Sequence, residues 1–84
     1  MNEVALQCLV THDALRATHN CEPALDDEGM PRNPEEWIAW RETINAPAYS
    51  AWADAMTELD AALGAKVSRH PFNFRPLCEA LVNE

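Results

Sequence analysis

Apolar residues recur every three or four positions along much of this chain, most sharply between Asn33 and Gly64. At about 100° per residue Trp37, Trp40 and Ile44 share one face while Glu35, Ala39 and Glu42 point away, as in a helix half buried against a neighbour. The start is marked in the sequence: Asn33 is a favoured N-cap, Pro34 suits the first helical position, and Glu35 and Glu36 place carboxylates at the positive end of the helix dipole. Arg41, one turn after Trp37, is placed to lie on the indole, a contact worth about 0.5–1 kcal/mol when exposed. Pro47 disfavours helical geometry at Ala46, so the pattern predicts an end or kink near Asn45. A second helix then carries Tyr49, Trp52, Ala53, Met56, Leu59 and Leu63 on one stripe until Gly64 stops it. Helix, short break and helix predict a helical hairpin or sharp corner with facing stripes Trp37/Trp40/Ile44 and Trp52/Met56/Leu59. The aromatics of this stretch then read as core rather than as a binding face.

Residues 3–18 carry both periodicities. Val4, Leu6, Cys8 and Val10 alternate as in a strand, yet Val4, Cys8 and Leu15 also share a helical face, and no Gly or Pro interrupts them. The reading is one helix, with a short strand to Val10 as the alternative. Residues 20–32 form a loop, broken by Pro23, Gly29 and Pro31. Beyond Gly64, Phe72 and Phe74 are spaced to share a face of an extended segment, with Pro76 opening a last short helix. On the second helix Ala51, Ala55 and Ala62 line a small-residue side, and Asp60 is an anomaly on the apolar stripe near Tyr49 and Met56, either at the stripe's wet edge or accepting a hydrogen bond from a buried partner. The small residues suit a solvated face chosen for helix propensity or, alternatively, close packing on the N-terminal helix or on another copy of the chain.

The expected architecture is therefore all-α: one domain over residues 1–84, a small bundle of three to four helices built around a helical hairpin. An α+β fold with an N-terminal strand is the alternative. A chain of this length buries only about 60–65% of its unfolded surface, so each tryptophan carries weight in a thin core.

Charge changes the picture most. Fourteen acids against six bases give a net charge of −8. Residues 34–63 hold Glu35, Glu36, Glu42, Asp54, Glu58 and Asp60 against Arg41 alone, whereas Lys66, Arg69 and Arg75 give the C-terminal segment a slight positive excess. Such a body is repelled by nucleic-acid phosphates and anionic lipid and attracted to basic protein surfaces. Direct nucleic-acid binding is disfavoured, even though basic and aromatic residues mix around Phe72. No stretch approaches the ~20 apolar residues of a membrane span. The odd cysteine count and the acidic N-terminal residues point to free thiols in a reducing cytoplasm, without a secretory signal.

Candidate chemistry is sparse. Cys8, His12, His19, Cys21, His70 and Cys78 are soft ligand types, and Cys8 and His12 share a helix face, but the spacing matches no compact zinc motif. Cys78 with His70 is the one nucleophile–base pairing the residue types offer. The Asp26-Asp27-Glu28-Gly29 loop lacks calcium-loop spacing, and no phosphate loop or dinucleotide fingerprint is present.

The functional expectation is a non-enzymatic interaction protein without cofactor, an inhibitor or adaptor whose acidic surface meets a basic, nucleic-acid-binding surface of a partner. Asp26, Asp27, Glu28, Glu35 and Glu36 form the expected contact surface, with Asp54 and Glu58 as a second strip. A homo-oligomer assembled through helix faces is the alternative, and a Cys/His metal-binding protein a remote one.

Overall fold

The computed structural model describes residues 1–84 as an all-helical protein with no strands. The first helix, α1, runs from Asn2 to Ala17 and tightens into a 3₁₀ turn at Thr18–Cys21. The N-terminal strand alternative is thereby excluded. After a loop, α2 spans Pro34–Trp40, a π-helical turn covers Arg41–Asn45, and α3 spans Ala46–Leu63. The last helix, α4, spans Pro71–Val82.

The expected corner at Asn45 does not form. The chain stays helical from Pro34 to Leu63, and at ~1.5 Å per residue that rod is ~45 Å long, matching the 45 Å long axis of the molecule. Pro47 has no amide hydrogen and crowds the carbonyl four residues back, which a regular helix resists. The turn before it widens instead, so that the Ala46 amide reaches back to the Arg41 carbonyl. Asn45 holds this widened turn in place by donating from Nδ2 to Thr18 Oγ1 at 3.0 Å. Trp40 Nε1 donates to the Thr18 carbonyl at 3.0 Å, so one buried threonine at the end of α1 anchors both sides of the irregularity.

The antiparallel pairing belongs to α1 and α3. Thr18 meets Asn45, and farther along α3 the Cys8 thiol donates to the Ala55 carbonyl at 3.3 Å. Ala55 is buried with Ala5, Cys8, Met56 and Leu59, which is the close approach a small residue permits, whereas Ala51 and Ala62 stay exposed. On the other side of α1 lies α4, also antiparallel: His12 packs on Phe74, and Asn2 reaches the Val82 carbonyl.

Residues 64–70 must therefore carry the chain back along α3. Gly64 ends that helix in the left-handed region at φ 73°. Asp60, the anomaly on the apolar stripe, fixes the return. It accepts from the Val67 amide at 2.8 Å and from both Arg69 guanidinium nitrogens at 2.9 and 2.7 Å. Those bonds, the Arg69 guanidinium foremost, hold its carboxyl down at about 2.

The segment expected to be extended is helical. His70 caps α4 by accepting the Phe72 amide proton on Nδ1, and Pro71 takes the first helical position. The helix continues through Pro76, whose missing N–H leaves the Phe72 carbonyl without its helical donor. A helical rather than extended backbone rotates Phe72 and Phe74 onto different faces. Phe74 is fully buried, while Phe72 is 85% exposed.

Candidate partner-binding surface

The loop between Cys21 and α2 is tied into a fixed shape. Asp26 Oδ1 accepts from the Glu28 and Met30 amides, both at 2.9 Å. Its backbone pairs with Met30 and Gly29, the latter at φ 82° where a side chain would be strained. Leu25 and Pro31 form an isolated antiparallel bridge. Arg32 Nε donates to the Leu25 carbonyl at 3.0 Å, locking the loop's base. Asn33 then caps α2, its side chain accepting from the Glu36 amide at 3.2 Å as the sequence indicated.

Between this loop and α2 lies an open groove of about 470 Å³. Leu25, Met30 and Pro31 form one wall, Trp37 and Ile38 the other, and Glu22 sits at its edge. Trp37 Nε1 points at Glu22 Oε2, 3.4 Å away, and Glu22 also meets His19 Nδ1 at 2.9 Å. Hydrogen bonds from His19, then from Trp37, hold the Glu22 carboxyl below its usual range. Arg41 lies 5.8 Å from the Trp37 ring centroid, the stacking the spacing predicted.

The aromatics thus divide between two roles. Trp40 and Trp52 are buried, and Trp37 is half-buried. Ile44 and Tyr49 are exposed, because no helix folds back over α2. Every acid expected at the contact surface is exposed. Asp26, Asp27 and Glu28 ride on the tied loop, and Glu35 and Glu36 on the adjoining first turn of α2. Asp54 and Glu58 lie on α3 instead, with Asp54 ~27 Å along the rod from Glu36 at ~1.5 Å per residue. They form a separate strip. None of these carboxylates pairs with a cation; the ion pairs are Arg69–Asp60 and Arg75–Asp13, while Glu22 is hydrogen-bonded to His19.

A second groove, of about 630 Å³, lies between α1 and the start of α4, with Arg16, Arg75, Phe72 and Glu79 on its walls. At its base is His12, buried against Phe74 and Trp52. Arg75 Nη1 sits 2.8 Å from His12 Nδ1 and 2.9 Å from Asp13 Oδ1. A guanidinium only donates, so His12 Nδ1 accepts and the ring proton resides on Nε2. Burial first, then Arg75 and Arg16, push the His12 pKa below its ordinary value, with Asp13 opposing.

Stability therefore depends on pH through this ring. A histidine held neutral in the fold contributes fully above its unfolded pKa of ~6.5, and stability falls as pH drops below that value because the unfolded chain takes up the proton first. Urea midpoints should decline from pH 7 to pH 5. His12→Gln should lower the midpoint at pH 7 and flatten this decline, and a slope unchanged by the substitution would remove His12 as its source.

The residues singled out for nucleophilic and metal chemistry are not gathered at one position. The His70 ring is engaged in capping and stacks on Phe72 at 5.2 Å, while Cys78 is fully buried beside Cys8 in the core. Burial first, then Cys78, pushes the Cys8 thiol up to about 12, and burial also raises Cys78. Both are therefore held as thiols rather than reactive thiolates. Cys8 and His12 are buried in the bundle, whereas His19 and Cys21 are exposed at the 3₁₀ turn, and no three Cys, His, Asp or Glu residues converge on a metal position. No helix is long and apolar enough to cross a membrane. In comparisons with known proteins the chain matches no family model, no curated protein and no solved structure.

Proposed function

We propose that this protein is a non-enzymatic interaction module, an inhibitor or adaptor in the cytoplasm, whose acidic surface receives a basic surface of a partner protein. Where that basic surface otherwise holds nucleic acid, the carboxylates take the place of phosphates. The observation that carries the reading is the set of exposed carboxylates at Asp26, Asp27, Glu28, Glu35 and Glu36, none of them neutralised by an ion pair. Unpaired surface charge of one sign raises encounter rates with an opposite surface and weakens with ionic strength.

The test is affinity capture from the native host, followed by titration of the captured protein across salt. Binding should weaken as added salt shortens the Debye length below ~8–10 Å. The variant carrying Asp26→Asn, Asp27→Asn, Glu35→Gln and Glu36→Gln should associate more slowly while keeping its helical spectrum, because the amide introduced by Asp26→Asn retains the side-chain oxygen that ties the loop. Equal affinity of wild type and variant at every salt concentration would overturn the reading.

A further inference from the structure

We infer that the groove between the 22–33 loop and α2 is a seat for a cationic segment of the partner that presents an apolar side chain. This rests on the reading of the acidic surface and adds what that reading lacks: an anchoring point and the chemistry of what enters it.

The groove is held open at the expense of exposed apolar surface. Met30 is 60% exposed, Ile38 49% and Leu25 41%, although all three line the same recess. The loop that presents Leu25 and Met30 does not do so by slackness. The Asp26 side chain, the Leu25–Pro31 bridge and the Arg32–Leu25 hydrogen bond fix its shape. A recess already in its bound form spares an incoming ligand the cost of ordering it. Its volume falls in the range of about 300–1,000 Å³ typical of ligand sites, and methionine adapts its shape to what enters.

Charge selects the occupant. Glu22, Asp26, Asp27, Glu28, Glu35 and Glu36 interleave in sequence with the groove's apolar walls. The two cations nearby, Arg32 on the Leu25 carbonyl and Arg41 on the Trp37 ring, keep their charge on neutral partners, so these six carboxylates against two guanidiniums leave the surroundings of the groove net acidic. An apolar floor inside an acidic rim complements a segment with a buried apolar residue and flanking Lys or Arg; an acidic or neutral segment leaves the rim uncompensated.

The probe is a displayed library of random twelve-residue peptides, selected on the full chain at low salt. Enriched peptides should share an apolar residue with Lys or Arg close on either side. Ile38→Glu and, separately, Met30→Asp should each weaken them tenfold or more. Both substitutions are at exposed positions, so the helical spectrum of each variant should match wild type. Combined Asp27→Asn, Glu28→Gln, Glu35→Gln and Glu36→Gln should weaken the same peptides and blunt their salt dependence. Cationic peptides without an apolar consensus, bound equally by Ile38→Glu, would overturn the groove while leaving the acidic-surface reading intact. Apolar peptides indifferent to the rim would overturn the cationic segment, the acidic surface again being decided by the captured partner. No enrichment would overturn the groove alone, the acidic surface still being decided by the captured partner. A dimer of the wild type that Ile38→Glu dissociates would overturn the cationic segment and assign the seat to a second copy instead.

Discussion

Ala55→Glu should abolish the cooperative fold, seen as a collapsed far-UV helical signal with no urea transition at 25 °C. Ala55 is 4% exposed in the cluster with Ala5, Cys8, Met56 and Leu59, and its carbonyl receives the Cys8 thiol. A glutamate there overfills the approach of α1 to α3, and taking a lone carboxylate out of water costs several kcal/mol. An 84-residue chain has about 4–13 kcal/mol of total stability at the usual per-residue scale. The control is Ala51→Glu, one turn earlier on the same helix and exposed, which should change stability by no more than about 0.5 kcal/mol. A folded Ala55→Glu protein that had merely lost an oligomer would refute the α1–α3 packing and revive assembly through the alanine face.

The fate of that alanine shows where the sequence is readable. Local signals are reliable where the cause is local. Asn33, Pro34 and Glu36 start α2 through one cap and one dipole, Gly64 stops α3 through its backbone freedom, and Arg41 finds Trp37 one turn away. Periodicity also identifies faces, since Trp52, Met56 and Leu59 are buried together. It cannot say which helix covers a face. Adjacency in sequence pairs α2 with α3 in a hairpin, yet α1 is the partner of α3, and that choice rests on Thr18, Asn45 and Ala55, residues with no strong hydrophobic signal of their own. Pro47 misleads for a related reason: a proline demands a change in the turn before it, and a π turn satisfies that demand as well as a corner does.

The surface is half legible. Its charge can be counted, and the acids are exposed as expected. The groove is hidden because it depends on the loop being shaped, and the loop reads as a run of breakers. One signal is available: aspartate at position 26 and glycine three residues later are the residues that close a turn through a side-chain acceptor and a positive φ. Taken seriously, they place Leu25 and Met30 on one closed turn beside α2. The Arg75–His12–Asp13 cluster has no such signal, since it joins positions more than sixty residues apart.

Phe74→Ala and Phe72→Ala test the placement of α4, and the same change two residues apart should have very different effects. Phe74 is fully buried, meets the His12 ring edge-on at 4.9 Å and packs tilted against Trp52 at 5.7 Å. Its truncation removes the apolar transfer energy and leaves a cavity among side chains that cannot all collapse into it, costing about 3–5 kcal/mol. At about 4–8 °C per kcal/mol for a domain of this size, Tm should fall by at least about 12 °C. Phe72 contacts the capping His70 and otherwise faces water, so its truncation should stay within about 0.5 kcal/mol. Trp52 fluorescence should report the first loss through an emission maximum shifted toward that of a solvated indole, and should not register the second. Were the segment extended, both rings would lie on one face and the two substitutions would cost alike. Comparable urea midpoints for the two variants would therefore overturn the helical register from Pro71 and, with it, the burial of His12 beneath Phe74.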